Sequence, residues 1–115
     1  MNERRKDNRE KMTAFTPVYD RHPRVLLGYL SDLTPRGASV TGETALSVDR
    51  EGWLDIEFSD ALIDLRPSRV VVQARVARCT PDANNPAYFN IGFEFNEIDA
   101  HSAEVIQAIL DRYDF

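Results

Sequence analysis

A period of two in the apolar residues constrains this chain more than any other feature. Leu54, Ile56 and Phe58 alternate with Asp55 and Glu57, and Ile91, Phe93 and Phe95 alternate with Asn90, Gly92 and Glu94. Successive side chains of an extended strand point to opposite faces, so each segment reads as a strand with one buried and one wet face. Similar short runs of Val, Ile, Leu and aromatics continue from Met12 onward, broken by Gly, Pro, Asn and Asp, which predicts strands at about 13–19, 24–33, 37–41, 52–58, 69–79 and 87–95. Thr34-Pro35-Arg36-Gly37 and the stretch from Pro81 to Pro86 supply the joints. The period then changes. Val105, Ile106, Ile109, Leu110 and Tyr113 share one helical stripe, with Asp99 as its N-cap behind Ile98. The expected fold is mainly β: a six-stranded antiparallel barrel whose C-terminal α-helix covers an open end or a flank.

Residues 1–11 break this pattern, because after Met1 they hold no large aliphatic or aromatic side chain and carry eight charges. Such a segment has nothing to bury, so a flexible N-terminal arm is expected over 1–11, ahead of a single domain over 12–115. The lone cysteine, Cys79, excludes an intrachain disulfide and a cysteine-rich zinc site, as in a reducing compartment. No secretory segment and no apolar run of ~18 residues is present, so the expected location is cytoplasmic, without membrane insertion. Charge is distributed unevenly: residues 1–40 are net +3, residues 41–115 net −8, and the whole chain net −5. An acidic chain is a poor binder of DNA or RNA, whose backbones need an extended basic face. A compact anion held by a local basic patch suits it better.

Catalytic constellations are missing. The sequence has no His-Glu-x-x-His, no Cys-x-x-Cys, no Gly-x-Ser-x-Gly elbow and no phosphate-cradling Gly-x-x-x-x-Gly-Lys loop. His101 reads as a surface residue of the first helical turn, His22 as a turn residue before Pro23, and Cys79 as a small core or rim residue. The expectation is a protein that is not an enzyme and has neither metal nor cofactor.

Two local patterns carry more information. The first is Arg4-Arg5-Lys6-Asp7-Asn8-Arg9, an R-x-x-x-R between Arg5 and Arg9 preceded by Arg4. A guanidinium can grip a phosphate or the O6/N7 edge of guanine with two parallel bonds and can stack on a base. The second is Asp32-Leu33-Thr34-Pro35-Arg36-Gly37 at a strand end. Asp32 and Thr34 share the face opposite Leu33, a carboxylate accepts from the N1–H and N2–H of guanine, and Gly37 would give the tight backbone that ends the turn. Taken singly, the first is usually a solvated charge run and the second a turn capped by its own side chains.

Together, with the Val70–Arg78 strand, the Ile91-Gly92-Phe93-Glu94-Phe95 strand and a final helix, these patterns resemble the PilZ domain family over nearly the whole chain. The resemblance implies a six-stranded PilZ-type barrel and a non-enzymatic bacterial receptor for cyclic di-GMP. Arg5 and Arg9 would occupy the family's arginine motif, and Asp32, Thr34 and Gly37 its second motif, with Thr34 in place of the commoner serine. Arg4 before the motif implies two intercalated ligand molecules per chain rather than one. The arm would close over the ligand and signal to a downstream protein partner. The competing reading is a PilZ-like adaptor that has lost nucleotide binding; both arginines, Asp32 and Gly37 weigh against it. A small barrel enzyme lacks its constellation, and an OB-type single-strand binder conflicts with the acidic barrel.

Overall fold

The computed structural model describes residues 9–115. Its strands are β1 (Glu10–Lys11), β2 (Pro17–Arg21), β3 (Arg24–Thr34), β4 (Gly37–Gly42), β5 (Glu51–Glu57), β6 (Arg69–Pro81), β7 (Phe89–Ile98) and β8 (Tyr113–Asp114); one helix, α1 (Ala100–Arg112), precedes β8. Strands β2 to β7 close into a barrel in the order β2-β3-β4-β7-β6-β5, every neighbour antiparallel. Closure leaves no free edge in the barrel. The six expected strands are therefore present. The first is displaced from 13–19 to 17–21, since residues 13–16 lie outside the regular ladder.

Alternation builds the interior as the sequence implies. Leu54, Ile56, Val70, Val72, Val76, Val40, Ile91 and Phe93 are buried, together with Val18 and Leu33. Asp55 is the exception. The alternation puts it on the wet face, yet it is 2% exposed, because Arg24 and Arg69 cover it at 3.2 and 3.7 Å. Arg24 also bridges to Glu57 at 2.6 Å and lies over the Tyr19 ring at 3.9 Å. A lone buried carboxylate would be unfavourable, and the paired cations offset the loss of solvent.

Helix α1 packs on β6 and touches β3, burying Ser102, Val105, Ile106 and Ile109. Asp99 is its N-cap: the carboxylate accepts the Ser102 N–H at 2.7 Å. Tyr113, expected on the helical stripe, is buried one residue beyond the helix, in β8, and its hydroxyl donates to the Leu62 carbonyl at 2.8 Å. No helix among the described residues is long and apolar enough to cross a membrane.

The cap gives a pH prediction. Backbone and side-chain hydrogen bonds from Ser102 hold the Asp99 carboxyl below its ordinary range. A depressed folded-state value means that the stabilisation is fully present above the unfolded value, ~3.9, and is lost as pH falls through the folded one. Asp99→Ala should lower the melting temperature by a few degrees at pH 7. Asp99→Asn, which keeps the cap but cannot titrate, should lose less stability than the wild type between pH 5 and 3, as followed by circular dichroism. Equal losses would show that Asp99 does not contribute to the acid limb.

The arm was expected to run free through residue 11. Its last residues are instead held: β1 pairs in parallel with β8, Glu10 to Tyr113 and Lys11 to Asp114, and Met12 N–H donates to the Asp114 carbonyl at 2.7 Å. Backbone pairing needs no apolar side chain, so charge density alone does not exclude it. The earlier part of the arm, Arg4 and Arg5 included, lies outside the described residues.

Candidate functional site

Strand registers arrange the outer face of the barrel in rows. Asp32 pairs with Ser39, Ser39 with Gly92, and Gly92 with Arg78, which places four residues from β3, β4, β7 and β6 side by side. On one side lies the row Thr34–Gly37–Glu94–Arg75, and on the other the row Tyr29–Thr41–Asn90–Thr80. The intervening residues, Leu33, Ala38, Phe93 and Val76, are buried in the core. An open depression follows the central row, lined among others by Asp32, Thr34, Arg36, Ser39, Arg78 and Glu94.

Two bulges flank that row. Ser31 is the extra residue in β3, between the Leu30 and Asp32 pairings, and Ala77 is the extra residue in β6, between the Val76 and Arg78 pairings. A bulge re-aims the side chain beside it, and here both swing a functional type, Asp32 or Arg78, onto the common face.

Asp32 is exposed, and one carboxylate oxygen accepts the Leu33 N–H at 2.9 Å. Thr34 is exposed as well; its hydroxyl accepts Arg36 N–H at 3.2 Å and donates to the Gly37 carbonyl at 3.4 Å. The two side chains share a face while Leu33 turns inward at 4% exposure, as the sequence implies. Both also serve their own turn, so the hairpin holds them in fixed positions. Gly37 differs from expectation. Its backbone is not in the left-handed region; a β-carbon there would collide with the Phe93 carbonyl oxygen of β7. Glycine is required at this point by the close approach of β4 and β7.

Arg78, Ser39 and Gly92 were not recognised as site residues in the sequence. Arg78 donates to Ser39 Oγ at 3.5 Å and its side chain crosses Gly92, where a β-carbon would stand 3.0–3.2 Å from Arg78 Cγ, Cζ and Nη1. Among the described residues it has no carboxylate at ion-pair distance, unlike Arg75, which is bound by Asp49 at 2.7 Å and Glu94 at 3.1 Å. Arg78 and Asp32 thus stand at opposite ends of one row, a cation and an anion that have no ionic partner among the described residues. The available signal was Gly92 itself, a glycine inside a strand between Ile91 and Phe93, which marks a site where something lies close to the backbone.

Arg9 is the part of the arginine motif that is described. Its Nη1 donates to the Leu110 carbonyl at 3.0 Å, at the end of α1, and lies 3.5 Å from the Asp114 carboxylate. Its Nε is buried without a partner among the described residues. The structure therefore does not bring Arg9 onto the Asp32 row; it engages the C-terminal segment. Arg4 and Arg5 lie outside the described residues.

The fold and sequence together define a closed six-stranded antiparallel barrel with the D-x-T-x-x-G hairpin on its outer face and an arginine-rich segment ahead of it in the sequence. The PilZ domain family model matches residues 3–112, and the chain belongs to that family. Among solved structures, it resembles the Bacillus subtilis inhibitor of motility MotI/DgrA, with a TM-score of 0.68 and 17% identity over 86% of this chain; it spans 46% of the MotI chain. It also resembles the PilZ domain of YcgR from Escherichia coli, solved with c-di-GMP, with a TM-score of 0.55 and 16% identity over 83% of this chain and 77% of that one. No curated protein sequence matches the chain.

Proposed function

We propose that this chain is a cytoplasmic, non-enzymatic bacterial receptor for cyclic di-GMP. The observation that carries the reading is the central row, in which Asp32 and Arg78 stand on one face without ionic partners among the described residues. Asp32 suits the N1–H and N2–H donors of guanine, Thr34 and Ser39 offer hydroxyls, and Arg78 suits a phosphate or the O6/N7 edge. Gly37 and Gly92 keep the surface flat enough for a ligand to lie on it. Arg4, Arg5 and Arg9 supply the remaining cations from the arm.

Binding acts as a switch because the arm makes ligand contacts only when closed, and that difference in contact energy shifts the population. Closure changes the surface shown to a downstream protein. The complex holds two intercalated ligands per chain, with Arg4 on the second.

Isothermal titration with cyclic di-GMP tests the reading. The expected result is saturable binding at two equivalents, weakened roughly 5- to 150-fold in Asp32→Ala, as the loss of ~1–3 kcal/mol of polar recognition requires. Arg4→Leu should saturate at one equivalent. No binding by the wild type would return the chain to the adaptor reading, while wild-type binding at one equivalent would remove the paired-ligand proposal alone.

A further inference from the structure

Phe15 is 86% exposed, the most exposed large apolar side chain among the described residues, and Tyr29 is 44% exposed beside it. Their rings meet edge to face, with centroids 5.9 Å apart at 71°. This geometry lets Tyr29 fix the Phe15 ring while part of the aromatic surface remains open. A bare aromatic on a polar barrel face costs hydration free energy, so its position calls for a physical account.

Position in the sheet supplies one. Tyr29 pairs with Thr41, two residues along β4 from Ser39, which puts it roughly 7 Å along the strand from the Asp32–Ser39–Gly92–Arg78 row on the same outer face. Phe15 is attached through Thr16, whose carbonyl accepts Leu30 N–H at 2.9 Å, and Pro17, which pairs with Tyr29. The segment from Arg9 to Phe15 therefore leads from the arginine arm to the rim of the Asp32 face. Tyr29 is thus a neighbour of Asp32 along β3, while Arg78 lies at the far end of the same row, beyond Ser39 and Gly92.

We propose that Phe15, backed by Tyr29, is a stacking platform for a guanine base of the ligand, which rests on the receptor reading above. A planar purine gains from a π-face whatever its hydrogen-bonding edge does, so the platform adds affinity independently of Asp32.

The test is a cyclic di-GMP titration of the full chain, read by calorimetry and by ring-proton NMR shifts of Phe15 and Tyr29. Wild type should show upfield shifts of the Phe15 ring protons on binding. Phe15→Ala should weaken binding about tenfold, Phe15→Leu nearly as much despite its apolar bulk, and Phe15→Trp should restore it. The melting temperature should stay near wild type in all three, since the ring covers no core residue. Wild-type affinity in Phe15→Ala, or unshifted ring protons in a wild type that binds, would overturn the platform while leaving the receptor reading intact. Absence of binding by the wild type would overturn both.

Discussion

Arg9→Ala is expected to eliminate measurable cyclic di-GMP binding and also to lower the melting temperature by roughly 5–10 °C. The sequence implies only the first effect, because an arm without apolar anchors should contribute nothing to the fold. The structure adds the second. The Arg9 guanidinium closes the C-terminal end of α1 through the Leu110 carbonyl, with Asp114 beside it, where a cation meets the negative end of the helix dipole. Charge-assisted bonds of this kind contribute about 1–2 kcal/mol, and each kcal/mol corresponds to ~4–8 °C in a domain of about this size.

On the receptor reading proposed above, the clasp competes with the ligand. A phosphate on the Asp32 row would draw Arg9 away from Leu110 and Asp114, and its buried Nε has no partner among the described residues in the clasped position, so an approaching anion would gain an unused donor. Asp114→Ala should therefore tighten binding a few-fold while lowering the melting temperature by a few degrees, the opposite pairing to Arg9→Ala. Calorimetry and thermal melts on the two variants check this together. Undiminished binding in Arg9→Ala would remove Arg9 from the site, and an unchanged melting temperature would show that the clasp contributes no stability.

Period-two alternation carried the barrel because it is a local property: one strand reports its own buried face. Registers are not local. The Ser31 and Ala77 bulges depend on how four strands fit side by side, and they set Arg78 on the same row as Asp32 across 46 residues of chain. The same limit hides the burial of Asp55, whose cover comes from Arg24 on β3 and Arg69 on β6. Short polar motifs such as Asp32-Leu33-Thr34 are legible in both their address and their facing, since they lie within one hairpin. Arg9 is legible as a residue type only; its partners belong to the last turn of the helix and to β8, about a hundred residues away.

Gly37→Ala is expected to lower the melting temperature by roughly 10 °C or more and to weaken ligand binding with it. The backbone at Gly37 is conformationally ordinary, so strain in φ is not the cause. A single methyl group would run into the Phe93 carbonyl oxygen. That oxygen belongs to a residue whose side chain is buried at 6% exposure and whose strand is paired with both β4 and β6, so β7 cannot retreat without disturbing the core. Forced overpacking of this sort costs about 1–3 kcal/mol, and more where the obstacle is backbone, which at ~4–8 °C per kcal/mol gives the stated shift. Ligand affinity falls too because Thr34 donates to the Gly37 carbonyl and Asp32 sits in the same hairpin. Gly52→Ala is the control: a β-carbon there meets nothing within 4 Å, and its melting temperature should stay within a few degrees of wild type. Differential scanning calorimetry of the pair distinguishes close approach from a general intolerance of alanine in these strands, and equal melting temperatures for the two variants would show that β4 and β7 can part at Gly37 without cost.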